Sequence, residues 1–153
     1  RYGGPIHSVR GLVAGLVARG HRVTVLTTDR DGPGRLDVPL AQPVPMDGAD
    51  IWYFPCRHLE RLAWAPDLAR VGRRLVPEAD VVHLHSVFQW PTSVVARQAE
   101  RAGVPYLVAP RGMLVADLIR RKSPLVKRTW LRLVERHTLA RAAGLHVTAP
   151  VEA

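Results

Sequence analysis

Apolar residues recur at helical spacing near the start of the chain. Val9, Leu12, Val13, Leu16 and Val17 fall on one face of a helix predicted over residues 5–19. Pro5 suits the first helical position and Gly20 the C-terminal stop. The run Arg22-Val23-Thr24-Val25-Leu26-Thr27-Thr28 is β-branched and mostly apolar. It reads as a buried parallel strand, entered through a short turn at Gly20-His21. From Asp29 to Asp50 the pattern is loop-like, punctuated by Gly32, Pro33, Gly34, Pro39, Pro43, Pro45 and Gly48. A connection this long is often functional or mobile. Ile51-Trp52-Tyr53-Phe54 is a second strand, ended by Pro55, and a helical region runs from about Leu59 to Leu75, broken near Pro66.

The remaining chain continues the alternation. Asp80-Val81-Val82-His83-Leu84-His85 is a third strand, Thr92 to Ala102 a short helix stopped by Gly103, and Val104-Pro105-Tyr106-Leu107-Val108-Ala109 a fourth strand. After a loop from Pro110 to Ser123, a helix is predicted from about Pro124 to Ala142, with Val126, Trp130, Leu133, Val134 and His137 as its core stripe. Gly144-Leu145-His146-Val147-Thr148 is a fifth strand. Strands alternating with helices predict an α/β fold, an open, doubly wound parallel sheet covered on both faces. The chain carries no internal repeat, low-complexity tract or domain linker.

Composition narrows the function. At 153 residues, with 47% hydrophobic residues, the chain is one domain's worth and globular. No apolar run reaches membrane-span length, and no signal-peptide pattern is present. The single Cys56 forms no internal disulfide, which makes a reducing compartment the default. One cysteine among scattered histidines is a poor start for zinc. The formal net charge is +9, almost all of it from arginine. Nucleic acid, an anionic membrane and a phosphorylated ligand all fit that charge, as do solvated helix faces. The densest basic stretch is Arg120-Arg121-Lys122, continued by Lys127-Arg128, Arg132 and Arg136. It is the candidate for peripheral contact with anionic lipid, against the default of a solvated face. Aromatic interleaving of the kind that single-stranded nucleic-acid binders use is absent, so no nucleic-acid partner is expected.

Three places carry candidate chemistry, each at the carboxyl end of a strand or where one belongs, the edge at which open α/β sheets bind ligands. Gly3-Gly4-Pro5 is a glycine turn at a helix start, where backbone can approach a ligand and free N–H groups favour an anion; an ordinary tight turn is the alternative. The dinucleotide fingerprint needs a third glycine that this turn lacks, although Thr28-Asp29 ends the next strand where an acidic residue would hold a ribose. His83 and His85 share a strand face. His83 reads as packed in the sheet and His85 as a polar ligand contact at its edge. Trp90 is either a sugar-stacking platform or a core anchor. Arg111, before the permissive Gly112, is placed to hold a phosphate or carboxylate.

Together these pieces resemble the N-terminal domain of family 4 (group 1) retaining glycosyltransferases. Gly3-Gly4-Pro5 and the stretch from Gly20 to Thr27 resemble the opening of that domain. Asp80 to His85 resembles its next signature strand, and Pro105-Tyr106-Leu107-Val108-Ala109-Pro110-Arg111-Gly112-Met113-Leu114 the strand and loop that follow. The basic helix and Gly144-Leu145-His146-Val147-Thr148-Ala149 complete the order across nearly the whole chain.

The resemblance implies the N-terminal, acceptor-side half of a GT-B enzyme, in which two Rossmann-like domains close over a nucleotide-sugar. Residues 1–153 then form one such domain, truncated at both ends and without its first strand. That absent strand would flank those near Val25 and Val82, leaving these two facing a gap or pairing directly. The whole enzyme would transfer a sugar from a nucleotide-sugar donor to a glycan or glycolipid hydroxyl, with retention. It would need no cofactor and no divalent metal, and would work in the cytoplasm or at the inner face of the membrane. A C-terminal donor domain would complete it, and the fragment alone would be inactive. Gly3 and Gly4 would line the donor phosphates. His85, Trp90, Arg111 and Gly112 would contact substrate, with His85 and Arg111 facing the acceptor or the donor sugar. Many relatives have a His-Gly pair where this chain has Arg111-Gly112. Arginine stays protonated and is no general base, so no catalytic base is assigned. The rival reading is a non-catalytic module that binds an anion or nucleic acid through its arginine surface.

Overall fold

In a computed structural model, residues 3–113, 130 and 134–147 are described. They form a mixed α/β, Rossmann-like arrangement of helices and mostly parallel strands, in two compact units, Arg1–Leu68 and Ala69–Ala153.

The first unit opens with α1 (Gly3–Val17), which begins two residues before Pro5, so that Gly3 and Gly4 lie within the first helical turn rather than ahead of it. Its apolar face packs as its spacing predicts. Val13 is buried with Ala49, Ile51 and Tyr53, and Val9 and Val17 close over them. Strand β1 (Thr24–Thr28) pairs in parallel with β5 (Ala49–Phe54).

The span read as loop holds structure of its own. Strands β2 (Arg30–Asp31) and β3 (Gly34–Arg35) form a minimal hairpin, and β4 (Pro43–Met46) pairs antiparallel with β5. Two prolines are tolerated in β4 because it is an edge strand, with β5 on one side only among the described residues. The β4–β5 turn is Asp47-Gly48, with φ of 51° and 80°. Two left-handed residues make a type I′ turn, whose twist suits a hairpin. A Cβ on Gly48 would lie 2.7 Å from Val17 Cγ1. Gly48→Ala is therefore expected to cost about 1–2 kcal/mol, from left-handed strain plus displacement of Val17. Urea unfolding checks this, and a variant as stable as the parent would contradict it.

The second unit contains α2 (Pro66–Leu75, begun in the first unit), β6 (Val82–His85), α3 (Trp90–Ala102), β7 (Tyr106–Ala109), α4 (Arg136–Arg141) and β8 (Gly144–Leu145). Pro66 begins α2, which accounts for the predicted break. The three strands form a parallel sheet in the order β6-β7-β8. Among the described residues, β1 ends the order β1-β5-β4 in the first unit. Helix α3 ends at Gly103, whose φ of 70° provides the left-handed cap.

The predicted stripe on the last helix needs correction at His137, which is half exposed and bonds Glu100 at 2.9 Å. Glu135 and Thr138 are buried instead. Residues 134–135 form a π-helical turn. The extra residue in such a turn rotates the following side chains out of 3.6-residue phase. The predicted core residues Val126 and Leu133 lie outside the described residues, as does the basic stretch except for Arg136.

Candidate functional site

The carboxyl ends of β6 and β7 bring polar side chains together. His85 ends β6 opposite Ala109 of β7. The chain leaves β7 through a turn, Pro110 to Met113, closed by the Met113 N–H donating to the Pro110 carbonyl at 3.2 Å. Its middle residues, Arg111 and Gly112, have φ of 56° and 79°. That turn returns the Arg111 guanidinium to His85, with Nη2 3.1 Å from His85 Nδ1.

A guanidinium only donates, so Nδ1 of His85 accepts and the ring proton is assigned to Nε2. Burial pulls the His85 pKa down to about 3, helped by His83, Arg111 and His146. His85 is thus a neutral ring whose basic nitrogen is occupied. What it has left to offer a ligand is the Nε2–H donor. Arg111 offers positive charge and N–H donors. Donors of this kind can hold an oxygen or an anion, and the pair presents no basic atom free to take a proton.

His83 stands behind this pair. Its ring lies 4.3 Å from that of His85 and 5.1 Å from that of His146, centroid to centroid. His146 Nδ1 and His83 Nε2 are 3.2 Å apart and share one proton. Burial first, then His146 and Arg111, lowers the His83 pKa. His83 is therefore packed and hydrogen-bonded, as its position predicts, while His146 was singled out by no motif. No group of three or more ligating side chains among the described residues is arranged to hold a metal.

The connection from β6 to α3 is conformationally costly. Ser86 and Phe88 have φ of 73° and 60°, about 1–2 kcal/mol of left-handed strain each for non-glycine residues. The connection is tied down at both ends. The Ser86 N–H donates to the Ala109 carbonyl at 2.9 Å, and the Gln89 carbonyl accepts from the Thr92 hydroxyl at 2.8 Å. Val87 is fully buried between them. Trp90 follows as the first, half-buried residue of α3, so the N-terminal end of that helix lies directly beyond the strained turn.

The first unit has a polar cluster of its own at the carboxyl end of β1. Asp29 is 4% exposed, and its Oδ1 accepts the Cys56 N–H and Arg35 Nη1, each at 3.0 Å. Arg35 also reaches Glu60, and Arg30 donates to the Glu60 carbonyl. An aspartate engaged in this way is a tie between elements, not an open ribose ligand. Burial also pushes the Cys56 thiol up, which leaves it a poor nucleophile. Gly3 and Gly4 sit in the first turn of α1, whose leading N–H groups lack intrahelical acceptors.

Of the six residues selected from sequence, His85, Trp90, Arg111 and Gly112 thus fall in the second unit, with His85 and Arg111 in contact. Gly3 and Gly4 fall in the first. A shallow depression lined by Glu100, Arg101, Tyr106 and Arg141 lies at the opposite, amino end of β7. Glu100 there is engaged with Tyr106 and His137.

A family model described as a glycosyl transferase 4-like domain matches residues 3–153. Among curated proteins and among solved structures, nothing matches.

Proposed function

The chain belongs to the glycosyl transferase 4-like family, and from that premise we propose that it is the acceptor-side, N-terminal domain of a retaining enzyme. The complete enzyme moves a sugar from a nucleotide diphosphate to a hydroxyl of a glycan or glycolipid. A second domain holds most of the nucleotide. Membership of the family accounts for a sugar donor and an acceptor in general; the donor type, the acceptor and the stereochemistry belong to the proposal. So do a cytoplasmic setting, peripheral contact with an anionic membrane and the absence of a cofactor. Among the described residues, no helix is long and apolar enough to cross a membrane.

The observation that carries this reading is the His85–Arg111 pair at the strand ends. In the proposed reaction, Arg111 orients an anionic or hydroxyl oxygen of the substrate. His85 donates through Nε2–H to a sugar oxygen, and Trp90 and Gly112 shape the adjoining surface. The first-turn amides of α1 at Gly3 and Gly4 meet the donor phosphates. With Arg111 offering donors only and His85 blocked at Nδ1, neither takes the acceptor proton. The leaving diphosphate of the donor is the group assigned that role.

Amide and histidine NMR spectra of the chain, titrated with uridine diphosphate glucose and guanosine diphosphate mannose, test the assignment. Shifts at His85, Arg111 and Gly112 are expected, with Arg111→Ala weakening binding about tenfold through loss of a charge-assisted contact. Shifts confined to other residues, or binding indifferent to Arg111→Ala, would reject it. Duplex DNA binding that falls steeply with salt would favour the anion-binding module instead.

A further inference from the structure

Glu135 is the most deeply buried carboxyl among the described residues, 1% exposed, and the site as described does not use it. It sits in the π-helical turn before α4, 47 residues from the connection it touches. Its Oε1 accepts the Phe88 N–H at 2.6 Å and the Trp130 Nε1–H at 3.0 Å. Its Oε2 is buried and has no hydrogen-bond partner among the described residues.

The bond to Phe88 is the informative one. Phe88 is the second of the two left-handed residues between His85 and Trp90. A non-glycine residue stays in that region only where its surroundings over-determine it. Here a short bond from a buried carboxyl supplies that constraint. Of the charged groups on α3 and α4, Glu100 is engaged with Tyr106 and His137.

We propose that Glu135 is a positioning residue: it pins the Phe88 amide and thereby fixes the left-handed connection that carries His85 and Trp90 toward substrate. Its effect on sugar binding rests on the proposed function, whereas its hold on the connection does not. Burial raises the Glu135 pKa against the opposing effect of the Phe88 and Trp130 donors. Wild-type spectra should therefore show the Phe88 amide and Trp130 indole protons titrating together, above the ordinary glutamate range.

The test compares Glu135→Ala and Glu135→Gln with wild type in the full chain. Glu135→Ala should broaden or shift the amides of residues 85–90 and weaken uridine diphosphate glucose binding about tenfold. Glu135→Gln keeps an acceptor oxygen and should restore both to within about threefold. Unchanged amides at residues 85–90 in a folded Glu135→Ala chain would overturn the proposal. Should that variant fail to fold, a wild-type Phe88 amide that exchanges rapidly and does not titrate with Trp130 would overturn it equally. If wild type binds no sugar nucleotide, the assignment of His85 and Arg111 to donor contact fails, while the Phe88 amide still decides the role of Glu135.

Discussion

Lowering the pH from 7 to 4 is expected to remove about 3 kcal/mol of the stability that His85 contributes, seen as a falling urea-unfolding free energy. The sign follows from the depressed pKa. An unfolded histidine takes a proton near 6.5, whereas folded His85 refuses it until about 3. Between those values the unfolded state binds more protons, so stability falls as the pH falls and levels off below about 3. His83, lowered for similar reasons, works in the same direction. Glu135 works in the opposite one. Its pKa is raised, so the folded state takes up that proton first and gains stability as pH drops toward the ordinary carboxyl range. Substituting His85→Gln isolates the main contribution and should flatten the slope between pH 6.5 and 4. Imidazole signals of His85 should stay neutral down to about pH 4 in wild type. A protonated His85 at pH 5, or a variant with the wild-type slope, would refute the burial argument.

The same residues show why part of the site was legible in sequence. His85 and Arg111 each follow a short apolar strand, and parallel strands place their carboxyl ends on one edge, which is where the two side chains meet. Their partners left weaker traces. His146 lies just beyond β8, a strand of only two residues, and its contact with His83 spans 63 positions. Glu135 stands in an arginine-rich helical pattern where a lone carboxylate reads as solvent-facing. It is buried, and it lies in a π-helical turn that a 3.6-residue period does not anticipate.

The fold divides along similar lines. The helix face of α1 and the strands β1, β5, β6 and β7 follow from apolar periodicity, within a residue or two at their ends. The span from Asp29 to Asp50 did not, because Pro43 and Pro45 argue against a strand until β4 is known to lie at an edge. Asp47-Gly48 was the available signal, a dipeptide suited to the type I′ turn that it forms. Within that span, the backbone of Asp29 is already committed to structure. Its N–H donates to the Phe54 carbonyl at 3.0 Å, and its carbonyl accepts the Leu36 N–H at 2.7 Å.

Asp29→Ala is accordingly expected to cost about 2–3 kcal/mol. The Asp29 carboxylate joins three segments: β1, which it ends; β3, through Arg35; and the turn after β5, through the Cys56 amide. Truncation leaves the Cys56 N–H in a buried position without its acceptor, a loss of about 1–3 kcal/mol. It also removes a charge-assisted bond to Arg35, but that side chain is 37% exposed and keeps Glu60, so water offsets much of this second loss. Asp29→Asn retains an acceptor oxygen for the Cys56 amide and should cost about half as much. Glu60→Ala, which breaks only the exposed pair, should cost under about 1 kcal/mol. Urea unfolding of the three variants gives the ranking, and hydrogen exchange at the Cys56 amide identifies its source. That amide should lose protection in Asp29→Ala and keep it in Glu60→Ala. Equal losses for all three would mean that the charge network, and not the buried amide, holds the hairpin to the strand end.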